Sequence, residues 1–267
     1  LAILAVGHYT DWLWFESLGY ARVYGTMLVA QATLFALGAL LFLGLFTSNV
    51  VLARRLARRE QWSTAGGDEG LWAYLHRLSA QLSTRRDALR TAQAVILFLG
   101  VLFALLLGLN AASHWLVVLR WLHARPFGVT DPLFGQDVAF YVFGLPLLRF
   151  VHGWLTSALL LTVAATLAVY VVVLVYEREL EVEQLLRRVG TAARAHWLLL
   201  VAALLLLLAA DALLDRYELV HQQRGVVAGA TYADIHAQVP AQWALFSLAL
   251  LAAALAVLTI FQRGYRL

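Results

Sequence analysis

Long apolar runs alternate with shorter polar intervals along the whole chain. The runs at 26–52, 92–116, 150–176, 196–214 and 240–261 each predict a helix able to cross a hydrocarbon core of about 30 Å, given a rise of about 1.5 Å per residue. A shorter run at 1–8 reads as the end of a first span whose start is missing. The closing "IFQRGYRL" has no evident stop, so the native chain is expected to continue past Leu267. No run alternates apolar and polar residues with the period of two that a membrane β-barrel needs. The pattern predicts an all-α polytopic bundle, one transmembrane domain over 1–267 with five complete spans, a truncated first span and interfacial or re-entrant helices.

The polar intervals carry structure of their own. In 53–91 the stripe Leu71, Leu75, Leu78, Leu82 and Leu89 predicts an amphipathic helix over 68–90, lying on the membrane surface or against a partner, with Asp68 and Glu69 at its positive end. In 177–195 the charge passes from acidic to basic. Glu183 and Arg187 at i,i+4 predict a helical extension of the preceding span that ends near Gly190. The interval 117–149 contains "RPFGVTDPLFGQDVAFYVFGLPLLRF". There Asp131 is placed to cap a helix with Pro132 at its first position, and Gly144 with Pro146 is placed to stop it. The expected product is an interfacial helix over 131–144, weakened at Gly135, with Asp137 available to cap a second piece.

Composition places these elements in a bilayer. Hydrophobic residues make up 62% of the chain and charged residues 13%, against about a quarter charged in a soluble domain. Mean hydropathy is +0.76. Nine Trp and ten Tyr supply rings suited to membrane–water boundaries. All twenty basic residues are Arg, so lysine chemistry is excluded, and the absence of Cys excludes disulfides and thiolate metal sites. Fourteen arginines fall in 53–91, 177–195 and after Phe261. The other six are Arg22, Arg120, Arg125, Arg149, Arg216 and Arg224. Arginine excess marks the cytoplasmic side. The first group of intervals is therefore expected on the cytoplasmic side of the membrane, and the 8–25, 117–149 and 215–239 loops outside.

Candidate chemistry gathers on that expected outer side. Asp211, Asp215 and Glu218 recur at i, i+4 and i+7, which puts them on one helical face, with Arg216 and Arg224 as the expected counter-charges. Six of the eight histidines lie on the same side. No two histidines are spaced i,i+3 or i,i+4, so metal coordination has only weak candidates: Asp215, His221, Asp234 and His236. An outer-face enzyme would have to draw on Asp131, Asp137, Asp215, Asp234 and His236. There is no nucleophile elbow, phosphate-binding loop or dinucleotide fingerprint, no cofactor is indicated by motif, and the basic residues flank the spans rather than forming a nucleic-acid surface. Gly38, Gly44, Gly100 and Gly108 permit close helix packing.

Three segments, "YTDWLWFESLGYARVY" (9–24), "PFGVTDPLFGQDVAFYVFGLPLLRF" (126–150) and "DRYELVHQQRGVVAGATYADIHAQVPA" (215–241), resemble signature stretches of the bacterial membrane family catalogued as uncharacterised protein family 0182. The resemblance runs the length of the chain, departing from the family pattern at His221 and Gln222. It implies about seven N-terminal spans followed by a large extracytoplasmic domain, of which this chain is the membrane part. It supplies no catalytic residue. The expected role is a non-catalytic scaffold or accessory subunit in contact with the lipid bilayer and a protein partner. The alternatives are an export component for an envelope lipid or polymer, and an outer-face metal-dependent enzyme.

Overall fold

The computed structural model describes residues 2–59, 71–178, 191–224 and 227–262. Among these, α1 spans Ala2–Ser17, α2 Ala21–Arg59, α3 Leu71–Ser113, α4 Trp115–Leu122, α5 Leu145–Arg178, α6 Thr191–Glu218 and α7 Val239–Gln262. Two residues in each of β1 (Gln223–Arg224) and β2 (Val227–Ala228) pair antiparallel, a minor ribbon on an all-α fold. Five stretches are long and apolar enough to cross a membrane: Ala21–Ala57, Arg90–Ser113, Phe140–Val172, Thr191–His221 and Asp234–Phe261. A helix satisfies its own backbone hydrogen bonds, which is what a chain in hydrocarbon requires.

Several boundaries differ from the sequence expectation. The interval 8–25 is mostly helical, because α1 continues to Ser17 and α2 begins at Ala21. The amphipathic helix expected over 68–90 is not a separate element. Residues 71–113 form one helix, since nothing between the leucine stripe and the apolar run breaks the helical pattern. Residues 68–70 lie outside the described residues, as do Glu183 and Arg187.

The interfacial helix expected over 131–144 is also corrected. Residues 131–136 form a turn, Thr130 and Asp137 pair as an isolated bridge, and the helix starts after Asp137. It then runs through a π turn, Phe140–Gly144, directly into α5. Gly144 and Pro146 do not stop it. Proline lacks an N–H and crowds the carbonyl four residues back, and the π turn changes the hydrogen-bond frame just before that point. Leu145 N–H donates to Phe140 O, five residues back. The same arrangement recurs at Asp234–Gln238, where Val239 N–H donates to Asp234 O ahead of Pro240.

α2 is the central helix. Its stripe Phe42, Phe46, Val50, Ala53 and Ala57 is buried against Ile96, Ala104 and Leu107 of α3 and against Ala158, Val169 and Tyr170 of α5. α6 packs on α5 and carries α7, with Ala209 and Ala212 buried on α6 and Ala249 and Ala253 on α7. Small residues let helices approach closely where lipid removes the hydrophobic drive between them. Gly38, Gly100 and Gly108 do this between α2 and α3. A Cβ at Gly108 would lie 2.9 Å from the Phe35 backbone oxygen, and one at Gly100 2.5 Å from the Phe46 ring. Gly44, expected to act in the same way, faces open space.

The glycine contacts set up a paired comparison. Gly108→Ala forces α2 and α3 apart and lowers stability by about 1–3 kcal/mol, the usual cost of overpacking. Gly25→Ala, where a Cβ meets nothing within 4 Å, is neutral or stabilising. Thermal unfolding of both variants in one detergent checks the difference, and equal midpoints would contradict the close α2–α3 contact.

Candidate functional site

Polar side chains converge at the end of the bundle where α5 begins and α6 finishes. The approach to α5 is shaped by two carboxylates. Asp131 Oδ1 accepts the N–H groups of Leu133 (2.8 Å) and Phe134 (2.7 Å), while its Oδ2 accepts Gln136 N–H (2.9 Å) and the Tyr141 hydroxyl (2.6 Å). Asp137 accepts N–H groups from Phe127 (3.0 Å), Gly128 (2.9 Å) and Ala139 (2.7 Å). Asp131 therefore caps the turn that Pro132 opens, not a helix, and Asp137 caps the piece that leads into α5. Gly135, at φ 66°, takes the left-handed conformation that closes the turn.

These bonds set the carboxyl chemistry. Desolvation pushes Asp131 up, but the Tyr141 hydroxyl and the three N–H groups outweigh it and hold its pKa below the ordinary 3.8. The Ala139 and Phe127 N–H groups, with Gly128 N–H, hold Asp137 below 3.8 against a smaller desolvation.

The three acids of α6 meet a counter-charge that differs from the expected ones. Arg149 of α5 donates from Nη1 to Asp211 Oδ1 (2.8 Å), from Nη2 to Asp215 Oδ1, and from Nε to Glu218 Oε1 (2.5 Å). The i, i+4, i+7 face is real, and its partner is the guanidinium fork at the start of the antiparallel neighbour. Three acids at the C-terminal end of a helix oppose its dipole, so a cation there offsets a real cost. His152, one turn further along α5, hydrogen-bonds the Leu207 carbonyl through Nε2 (2.9 Å) and holds Nδ1 3.6 Å from Asp211 Oδ1.

Arg216 does not pair with these acids. It follows Asp215 by one residue, about 100° around α6, and points toward α7. There its guanidinium carbon lies 4.6 Å from the Trp243 ring centroid, 4.7 Å from Tyr217 and 5.7 Å from Phe134, a cation–π nest. The Arg224 side chain lies outside the described residues.

The weak metal candidates do not assemble. Asp215 is held by Arg149, and the His221 ring stands edge-on to Tyr141 at 6.3 Å. Asp234 is buried, with Oδ2 accepting both Thr231 N–H and the Thr231 hydroxyl at 2.8 Å, while Asp234 N–H reaches back to Thr231 Oγ1 at 3.3 Å. His236 Nδ1–H donates to Tyr232 O (3.0 Å) and its ring stacks on Tyr232. No group of three or more His, Asp or Glu side chains among the described residues is arranged to hold a metal ion. The signal for Asp234 was in the sequence: Thr-x-x-Asp is a capping box. The acids named for an outer-face enzyme thus meet backbone, Thr231 or Arg149, and Asp215 and Asp234 are not brought to a common point with His236.

A second polar network lies at the opposite end. His196 of α6, only 2% exposed, donates from Nε2 to Asn49 Oδ1 of α2 (3.0 Å), and its Nδ1 accepts from the Tyr170 hydroxyl of α5 (3.0 Å). Asn49 Oδ1 only accepts, which fixes the proton on Nε2. Three helices are joined by one imidazole, about 28 Å along α6 from Asp215.

The model of the uncharacterised protein family UPF0182 matches residues 1–267. The chain belongs to that family. It is 34% identical to a UPF0182 protein of Frankia casuarinae over 97% of this chain and 24% of the relative. It is 34% identical to one from Cupriavidus necator over 100% of this chain and 28% of the relative, and 35% identical to one from Moorella thermoacetica over 97% and 27%. The chain therefore spans about a quarter of the length of these curated relatives. No solved structure matches it. The family carries no assigned activity, so residue roles rest on the geometry above.

Two outcomes follow. Arg149→Ala leaves three carboxylates facing one another. Breaking a fully buried pair costs about 3–5 kcal/mol, but these acids are 37–47% exposed, so the expected loss is about 1–2 kcal/mol. Arg149→Lys restores only part of it, because an ammonium offers its three donors from a single point, whereas the guanidinium spreads Nε, Nη1 and Nη2 toward three separate carboxylates. Chemical denaturation read against Arg149→Met, which keeps apolar bulk, separates charge from packing. The second outcome concerns pH. Asp131 and Asp137 have folded pKa values below 3.8, so their stabilisation is present above that value and fades as pH falls through the folded values. Amide exchange at Leu133, Phe134, Gln136 and Ala139 is expected to keep constant protection from pH 5 to 8 after correction for intrinsic rates. It should lose protection below about pH 4, and a loss centred near neutrality would contradict the assignment.

Proposed function

We propose that this chain is a non-catalytic scaffold in a bacterial plasma membrane, and that the Arg149 end is a rigid extracytoplasmic platform on which a further protein domain or subunit sits. The observation that carries the reading is how the polar groups are used. At both ends of the bundle they tie helices and loops to one another. Between the Arg149 and His196 networks the core is Phe42, Phe46, Ala104, Leu107 and Ala158, with Thr162 bonded back to its own helix at Ala158 O. A transport path needs polar groups or broken helices near the midplane; in the layer between α2, α3 and α5 the helices are unbroken and the buried polar side chains are threonines of α5, with Thr162 and Thr166 bonded back to their own helix. A catalytic centre needs a nucleophile or base free to reach a substrate, and the oxygens of Asp131 and Asp137 are committed to backbone N–H groups and the Tyr141 hydroxyl.

The arginine distribution supports placing this end outside. The platform presents exposed rings as well as charge: Tyr232 is 77% exposed and Phe127 55%. Aromatic residues of this kind are common anchors at protein interfaces. A photo-crosslinking residue placed at Tyr232 in cells is expected to join one defined protein segment in high yield. Phe127→Arg is expected to reduce that product at least several-fold without changing membrane insertion. A stable monomer that forms no protein cross-link at Tyr232, and that moves lipid or solute across vesicles, would overturn the scaffold reading.

A further inference from the structure

A groove of about 720 Å³ opens on the side of the bundle between α1, α2 and α4. Apart from Arg22 and two threonines its walls are apolar, with Val29 and Leu37 of α2 facing Val118 and Leu119 of α4. The Thr26 hydroxyl is used within the helix, donating to Arg22 O at 2.9 Å. Trp12 lines the groove at its Arg22 end, edge-on to Tyr24, and indole rings settle at headgroup depth.

Length and charge identify the occupant. Arg22 and Leu37 are the first and last charged or bulky α2 side chains on the groove, and fifteen helical residues rise about 22 Å. One leaflet contributes about 15 Å of hydrocarbon and its headgroup layer about 5–7 Å. The Ala21–Ala57 span is centred on Ala39, about 25 Å along the helix from Arg22, so an ordinary helix tilt brings Arg22 to the outer part of the headgroup layer when Ala39 lies at the midplane. Arg22 is exposed and forms no ion pair with a carboxylate among the described residues. One acyl chain with an anionic headgroup matches both the length of the apolar strip and the single cation at its end.

We propose that this groove holds one acyl chain of an anionic phospholipid, with the phosphate on the Arg22 guanidinium and the chain running down α2 to Leu37. The proposal rests on the membrane-spanning reading given above and does not depend on the scaffold role. It makes Arg22 a selectivity determinant and Gly25 the opening that leaves room for the lipid, since a Cβ there meets nothing within 4 Å.

The test uses the whole protein in nanodiscs of equimolar phosphatidylglycerol and phosphatidylcholine, released and weighed by native mass spectrometry. One retained phosphatidylglycerol is expected, favoured over phosphatidylcholine about fivefold, as a single arginine at an anionic surface supplies. Arg22→Gln should abolish the preference, Arg22→Lys should keep it, and Gly25→Leu should release both lipids while the unfolding midpoint holds. Equal retention of the two lipids, or a preference unchanged in Arg22→Gln, overturns the site. So does a photo-crosslinker at Val29 that captures a protein segment instead of lipid, because the groove is then filled by chain. Protein that does not enter the discs at all removes the membrane reading and this proposal with it, an outcome distinct from inserted protein that lacks selectivity.

Discussion

Helices in hydrocarbon gain little from burying leucine against leucine, because lipid tails are as apolar as the side chains they replace. Association must come from close packing and from polar bonds that lipid cannot offer. This chain uses both in separate layers. Between α2 and α3 the close approach is made by Gly38, Gly100 and Gly108, with Ala104 and Ala111 buried in the same contact. At the ends, the Arg149 fork joins α5 to α6 and His196 joins α6 to α2 and α5. The separation of the two networks, about 28 Å along α6, is close to the thickness of a hydrocarbon core. The charged groups thus gather at one end of the bundle and the His196 network at the other, while the layer between them is mainly apolar, with Thr162 and Thr166 bonded back to their own helix.

What could be read from the sequence, and what could not, follows the range of each interaction. The spans were legible because apolar length is local to each run. The face formed by Asp211, Asp215 and Glu218 was legible because helical spacing is local too. Its partner was not. Arg149 lies 62 residues from Asp211, and only the antiparallel docking of α5 on α6 brings them together. Arg216 and Arg224 were nearer in sequence and chemically suitable, but Arg216 lies on the wrong face of its helix and finds Trp243. His196, Tyr170 and Asn49 gave no local signal at all, since each is an ordinary residue near the end of a span.

The misread boundaries have a different cause. Gly144 with Pro146 is a sound stop signal in a water-exposed helix, where the chain can leave the helical path and hydrate its backbone. At the entrance to a span that exit is unfavourable, because freed N–H and carbonyl groups would enter a region without water. Changing the hydrogen-bond frame by one residue keeps the backbone groups paired. The recurrence of the device at Asp234–Gln238 before Pro240 argues that proline sets it.

The π turn also determines what the loop before α5 can do. It adds one residue to a helical turn and so rotates everything ahead of it by about 100° relative to a continuous α-helix. Tyr141 lies inside that turn and Arg149 beyond it. Tyr141 is aimed at Asp131, beside Tyr217, and Arg149 at the acids of α6. A continuous α-helix would turn these two directions by about 100° relative to each other, and the capped turn at 131–136 would lose the Tyr141 hydroxyl that bonds it to the span. The proline therefore does more than interrupt a helix: through the π turn it couples the shape of the loop to the charge network of the bundle. A loop held by three N–H groups, one hydroxyl and a re-phased helix suits a surface that must keep one shape, which is the physical case for a platform over a moving gate.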